Sequence, residues 1–198
     1  MLSTFPEEKL DPRVKRTLDL IQRSFMDIVN EKGFNSISVQ DIAARAGVNR
    51  ATFYAHFPDK YALLDYAIGE SFRAEVEQRM LNVCEFQIEN LRTLMVTVCE
   101  FVGNIHSHHD NEERYQTLVE AQIRNQVYGL ILHWLENLQT IKNCTVSREQ
   151  AATAASWAIY GLAHQWAHEK RKSSADVFAD EVMPIVAANL GQTIAITG

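Results

Sequence analysis

The residues with the densest chemistry lie between Asn49 and Lys60, in the run Asn-Arg-Ala-Thr-Phe-Tyr-Ala-His-Phe-Pro-Asp-Lys. Arg50, Ala51, Thr52, Tyr54 and His56 sit beside the polar Asn49, and together they suit recognition of duplex DNA. Arginine can donate two hydrogen bonds to guanine, a small alanine can meet a thymine methyl, and threonine can donate or accept at a base edge. Tyr54 and Lys60 suit phosphate contacts, because a hydroxyl and a flexible ammonium register charge and position, not base identity. Backbone N–H groups at the start of the helix beginning near Asp59 offer a seat for a further phosphate. The chain is not expected to be an enzyme: it has no nucleophile motif, phosphate-cradling glycine loop or dinucleotide fingerprint. Its carboxylates are spaced as solvated helix faces.

Two short helices have to hold those side chains outward. Ser38 stands where it would cap a helix over Val39–Ala46, with Asp41 three residues on in a capping-box arrangement. Gly47 supplies the turn, and Asn49 caps a second helix over Arg50–Ala55. Ile42, Ala46, Val48 and Phe53 can close a small core between the two, while Ala43 lets them cross closely; Phe53 is assigned inward and Tyr54 outward. Before them, Val14, Leu18, Ile21, Phe25 and Ile28 recur at helical spacing over Pro12–Lys32, ending at Gly33. After them, Pro58-Asp59-Lys60 opens a helix carrying Tyr61, Leu64, Ile68 and Phe72.

The remainder reads as longer helices with no period-2 run, so the chain is all-α with about nine helices. Ile88, Leu91, Met95, Val98, Val102 and Ile105 form one amphipathic face. A further helix spans Glu112 to Leu138, with a bend expected near Gly129. Ser147 and Gln150 open the next, whose Ala151, Ala154, Ala155, Ala158 and Leu162 let a partner helix approach closely. Ser173 or Ser174 caps the last, which Pro184 is expected to kink or split. Met95, Cys99, Phe101, Val127, Tyr128, Ile131, Trp134, Trp157, Tyr160 and Trp166 supply apolar and aromatic surface; they are candidates for an effector pocket, and the other reading of each is core.

The net charge of −6 hides an asymmetry: residues 1–60 hold nine Lys and Arg against eight Asp and Glu, and the rest hold ten against seventeen. A weakly positive module on an acidic body permits local DNA binding. The start lacks the basic and apolar regions of a signal peptide, no apolar run reaches the length of a membrane span, and the cysteines Cys84, Cys99 and Cys144 read as reduced thiols, so a cytoplasmic protein with no membrane partner is expected. His106, His108, His109, Asp110, Glu112 and Glu113, and the pair His164 and His168, are not assigned a metal, because no spaced partner completes a zinc pattern. No cofactor is expected.

The stretch Ile-Ala-Ala-Arg-Ala-Gly-Val-Asn-Arg-Ala-Thr-Phe-Tyr-Ala-His-Phe-Pro-Asp-Lys-Tyr-Ala-Leu-Leu resembles the signature of the tetracycline-repressor-like family of bacterial regulators. The resemblance is strong over residues 13 to about 68 and beyond that is one of helix number and placement. It implies a helix-turn-helix domain at 1–60, a helical effector-binding and dimerisation domain at 61–198, and a homodimer formed through residues 147–189. It also implies a repressor released from a palindromic double-stranded operator by a small molecule, here an apolar or amphipathic one. By position, the resemblance assigns Gln40 to backbone contact, Arg50 and Ala51 to bases, Thr52 and Tyr54 to groove and phosphate, His56 to the exposed end of the recognition helix, and Lys60 to phosphate. Asn49 stands where the family more often has Ser or Thr, and caps equally well. The alternative reading is a helical protein-interaction or small-molecule-binding module that does not itself recognise a DNA sequence.

Overall fold

The computed structural model describes residues 11–80, 86–108, 113–138, 146–169 and 173–190. Among these are eight α-helices, a 3-10 turn at Phe34–Ser36 and no strand. The helices are α1 (Pro12–Lys32), α2 (Val39–Arg45), α3 (Arg50–His56), α4 (Lys60–Arg79), α5 (Ile88–His108), α6 (Glu113–Asn137), α7 (Arg148–His168) and α8 (Ala175–Leu190).

The ends are where the side chains dictate them. Pro12 sits in the first turn of α1, where its missing N–H costs nothing, and the Asp11 carboxylate accepts from the Arg13 N–H at 2.7 Å. Gly33 closes α1 at φ 75°, its N–H bonded to the Val29 carbonyl. Ser147 and Gln150 form a reciprocal capping box at α7, and the Ser174 hydroxyl accepts from the Val177 N–H at 3.3 Å to start α8. Neither of the two helices expected to be irregular is interrupted. α6 runs unbroken past Gly129, and α8 runs as one helix through Pro184. The carbonyl four residues before Pro184 belongs to Asp180; both residues are exposed, so water can satisfy the acceptor that the proline leaves.

α1 packs on α2 and α4, and α2 on α3; α4 also packs on α5 and α6, α7 lies against α5 and α6, and α8 closes on α5 and α7. One hydrophobic core runs through all of this, from Leu18 to Leu190, without a break at the residue-60 boundary. α4 belongs to both ends, burying Leu63, Leu64, Ala67 and Ile68 and then Phe72 and Val76. At the far side Arg92 of α5 clasps α8, its Nε 2.6 Å from Asp180 and a terminal nitrogen 3.1 Å from Asp176. No helix among the described residues is long and apolar enough to cross a membrane.

Candidate nucleic-acid interface and effector cavity

The geometry of the first site begins with a rigid turn. Ser38 Oγ accepts from the Asp41 N–H at 3.2 Å while Asp41 Oδ2 accepts from the Ser38 N–H at 2.9 Å, which fixes the entry to α2. The Ser38 hydroxyl, which donates to Asp41 Oδ2 at 2.6 Å, and then the Ser38 N–H hold the Asp41 carboxyl below its ordinary range. Gly47 stands at φ 68°, the left-handed region that a Cβ disfavours, and the Val48 N–H turns back to the Ala43 carbonyl at 3.0 Å. Asn49 Oδ1 then accepts from the Thr52 N–H at 2.7 Å and from the Thr52 hydroxyl at 3.1 Å. Between the helices, Ile42 and Phe53 are fully buried and Ala43 nearly so. The burial of a Phe such as Phe53 is worth about 1.5–3 kcal/mol, enough to lock α3 onto α2.

This brace leaves one face of α3 outside. Arg50, Ala51 and Tyr54 are exposed, and Thr52 and His56 are half-buried at its margins. Arg50 and Tyr54 form a ridge one turn apart, with a guanidinium nitrogen 3.5 Å from the phenol oxygen and the guanidinium carbon 5.8 Å from the ring centre. Phe53 lies inward and Tyr54 outward, as the spacing predicts. No carboxylate occurs from Asn49 to Pro58, so nothing on this face repels a phosphate backbone. Gln40 is exposed at the start of α2. The cap role occupies the carbonyl oxygen of Asn49, leaving its NH2 group as the part able to reach outward.

At two expected phosphate sites the donor groups have partners within the protein. The Asp59 carboxylate accepts from the N–H groups of Tyr61 and Ala62 at 2.9 and 2.8 Å, so the donors expected to seat a phosphate are already capped by an anion. Lys60 turns inward: its Nζ donates to the carbonyls of Phe34 at 3.0 Å and Ile37 at 3.1 Å, with Asn35 at 3.5 Å, and lies 4.5 Å from the centre of the Phe34 ring. The physical reason is that a short 3-10 turn cannot satisfy the carbonyls at its own end, and the fold brings the Lys60 ammonium to them. Sequence reading also missed the bidentate pair of Arg45 on α2 with Glu31 on α1, at 2.9 and 2.8 Å, which holds the Glu31 carboxyl below its usual range.

The residues expected to line an effector pocket are mostly core. Met95, Cys99, Val127, Ile131 and Trp134 are fully buried, Tyr160 and Trp166 nearly so, and Trp166 Nε1 donates to the Ser173 carbonyl. Tyr128 is half-buried. Trp157 is 52% exposed, with the Arg124 guanidinium 3.8 Å from its ring centre. Phe101 alone of this group borders a cavity of about 450 Å³, which lies between α1, α4, α5 and α6. Its other walls are Met26 and Asn30 of α1, Ile68, Ser71 and Glu75 of α4, Asn104 and Ile105 of α5, and Tyr115 of α6, whose phenol burial pushes up in pKa. A signal for it existed: Ser71 and Glu75 continue the phase of Ile68, putting polar groups in a row that begins apolar. The cluster from His106 to Glu113 falls outside the described side chains, and no group of three or more metal-ligating residues occurs among the described ones.

Comparison with known proteins agrees with this geometry. Residues 26–67 match the model of the bacterial regulatory proteins of the tetR family. An uncharacterised helix-turn-helix transcriptional regulator of Bacillus subtilis, YxbF, is 38% identical over 66 residues, which is 33% of this chain and 17% of that protein. The class A tetracycline repressor from transposon 1721 of Escherichia coli is 40% identical over 53 residues, 27% of this chain and 24% of that one. The matched stretch thus spans less than a quarter of either curated relative. Over nearly the whole chain the likeness is one of fold: a TetR-family regulator of Streptomyces coelicolor superposes with a TM-score of 0.60 at 18% identity, covering 91% of this chain and 98% of that one. The braced α2–turn–α3 unit thus lies within the stretch that matches the tetR family of bacterial regulatory proteins, and it is set in an all-helical fold like that of a TetR-family regulator.

Proposed function

We propose that the protein is a homodimer that reads a palindromic operator with two copies of α3 and leaves it when a small molecule binds the helices beyond residue 60. The observation that carries this reading is the exposed, carboxylate-free face of α3, presented by a unit whose caps and turn are all satisfied. Arg50 takes the base-reading role, Ala51 and Thr52 line the groove, and Tyr54 and the Gln40 end of α2 contact the backbone. Residues 1–60 act as the DNA-reading part and 61–198 as the dimerising and ligand-sensing part, with α4 shared between them.

Dimerisation through α7 and α8 is supported by their outer faces. Ala154, Trp157, Ala158, Gly161 and Leu162 form an apolar row on α7 that is exposed or half-buried, and Val177, Pro184, Ile185 and Ala188 form another on α8. Rows of this spacing suit a bundle with a second copy, which would set the recognition helices about 34–36 Å apart, or at a comparable groove repeat. Selection of bound fragments from a random duplex library tests the reading: a palindromic consensus is expected, and Arg50→Ala should weaken binding to it by about 1–3 kcal/mol and relax one position of each half-site. Recovery of no consensus, or a protein that stays monomeric at high concentration, refutes it.

A further inference from the structure

The cavity between α1, α4, α5 and α6 has a polarity that names its occupant. One side is apolar, with Met26, Ile68, Phe101 and Ile105, and no Lys, Arg or His lines it. The other side carries Glu75. Arg79 meets only one oxygen of that carboxylate, Oε2, at 3.2 Å, and the same guanidinium is shared with Glu100. Two carboxylates therefore divide one cation, a net negative charge remains at this end, and Glu75 Oε1 has no partner among the described residues. At about 450 Å³ the space falls within the range that holds drug-sized molecules.

We propose that this cavity is the effector site and that it takes an amphipathic amine, its aryl or alkyl body against the apolar wall and its ammonium on Glu75. The proposal rests on reading the chain as a ligand-responsive regulator and adds the site and the ligand class. Its position gives the ligand a grip on the DNA-reading end. Asn30 of α1 borders the cavity, and the next residue, Glu31, holds α2 through Arg45. An occupant that moves the last turn of α1 therefore moves the partner helix of α3.

Calorimetric titration of the full chain tests this with two charge-matched pairs, tryptamine against indole-3-propionate and 4-phenylbutylamine against 4-phenylbutyrate. At least one amine should bind, its matching acid should not, and Glu75→Gln should weaken amine binding about tenfold or more. Glu77→Gln, an exposed change on the same helix that does not border the cavity, should leave binding as in the parent. Added amine should also lower affinity for the selected duplex. Binding of neither amine at millimolar concentration, equal binding of acids and amines, equal behaviour of the two glutamine variants, or amine binding without effect on DNA would each overturn the proposal. A protein that selects a duplex consensus yet binds no amine refutes the cavity assignment alone. One that binds amines through Glu75 but selects no DNA refutes the regulatory reading instead.

Discussion

Replacing Lys60 by Met separates two roles that a lysine at this place can have. The ammonium has two good acceptors, the half-buried carbonyl contacts to Phe34 and Ile37 at 3.0 and 3.1 Å, plus a longer one to Asn35 and the face of the Phe34 ring. Methionine keeps the stem and removes every donor, so two carbonyls lose their partner and the cation–π contact goes. With a charged donor each bond is worth roughly 1.5–3 kcal/mol when well sheltered, and partial exposure brings the total to about 2 kcal/mol. For a chain of this size that lowers Tm by about 4–8 °C. A phosphate contact has a different signature: its loss reduces the slope of log affinity against log salt by about 0.9. For a residue that positions the 3-10 turn and α2, affinity should fall while the salt slope stays parallel to the parent's. Thermal melts and duplex titrations over a range of salt decide it. An unchanged Tm with a slope reduced by about one would show that Lys60 leaves its carbonyls for the DNA backbone, and the positioning role would be wrong.

Other consequences follow from single features of the fold. Gly47→Ala places a Cβ at φ 68° with no steric neighbour within 4 Å, so the cost is backbone strain alone, about 1–2 kcal/mol, visible as a lower denaturant midpoint with an unchanged slope. The Arg92 hydrogen bonds hold the Asp180 carboxyl below its ordinary range. A depressed folded-state value means that the carboxylate stabilises the fold above its unfolded-state pKa and ceases to do so as pH falls through the folded one. Urea melts should therefore separate Asp180→Asn from the parent at pH 7, and the two should converge as pH is taken down through and below the carboxylate range. The separation should also narrow in high salt because the pair is exposed. A gap that persists in strong acid would assign the effect to something other than the ion pair.

Much of the fold was legible because it is written in local signals. The caps at Ser38, Asn49 and Ser147 and the breaks at Gly33 and Gly47 depend on a side chain and its own next few N–H groups, and the structure has each one where the spacing predicts, with Ser174 the one of two candidates that caps α8. The sides of α3 were legible too, since Phe53 follows the core phase and Tyr54 does not. Placements that depend on residues far apart in the chain were not. Lys60 meets carbonyls 23 to 26 positions earlier, Arg45 meets Glu31 across two elements, and the cavity needs four helices to converge. Aromatic content was a poor guide to that cavity, because large apolar side chains such as Trp134 are those most favoured to fill the core. Polar residues in an apolar phase, Ser71 and Glu75, were the better signal.

α4 offers a second path from the cavity to the DNA-reading end, beside the one through α1. Lys60 and Glu75 stand at opposite ends of α4, fifteen residues and so about 22 Å apart along its axis. A tilt of roughly 5° at the cavity end would displace the other end by about 2 Å, and Lys60 would carry the Phe34–Ile37 segment and the entry to α2 with it. A ligand can shift DNA affinity only by the difference in its own affinity for the two arrangements, so a tenfold release needs about 1.4 kcal/mol of discrimination. A single charge-assisted hydrogen bond to Glu75 that forms in one arrangement and not the other is large enough to supply it. If α4 is the lever, Lys60→Met should bind amines as the parent does yet show less amine-induced loss of duplex affinity, because the far end of the lever no longer grips the turn. Parent-like release by that variant would route the coupling through α1 and the Glu31–Arg45 pair instead, a path that Arg45→Met would then interrupt.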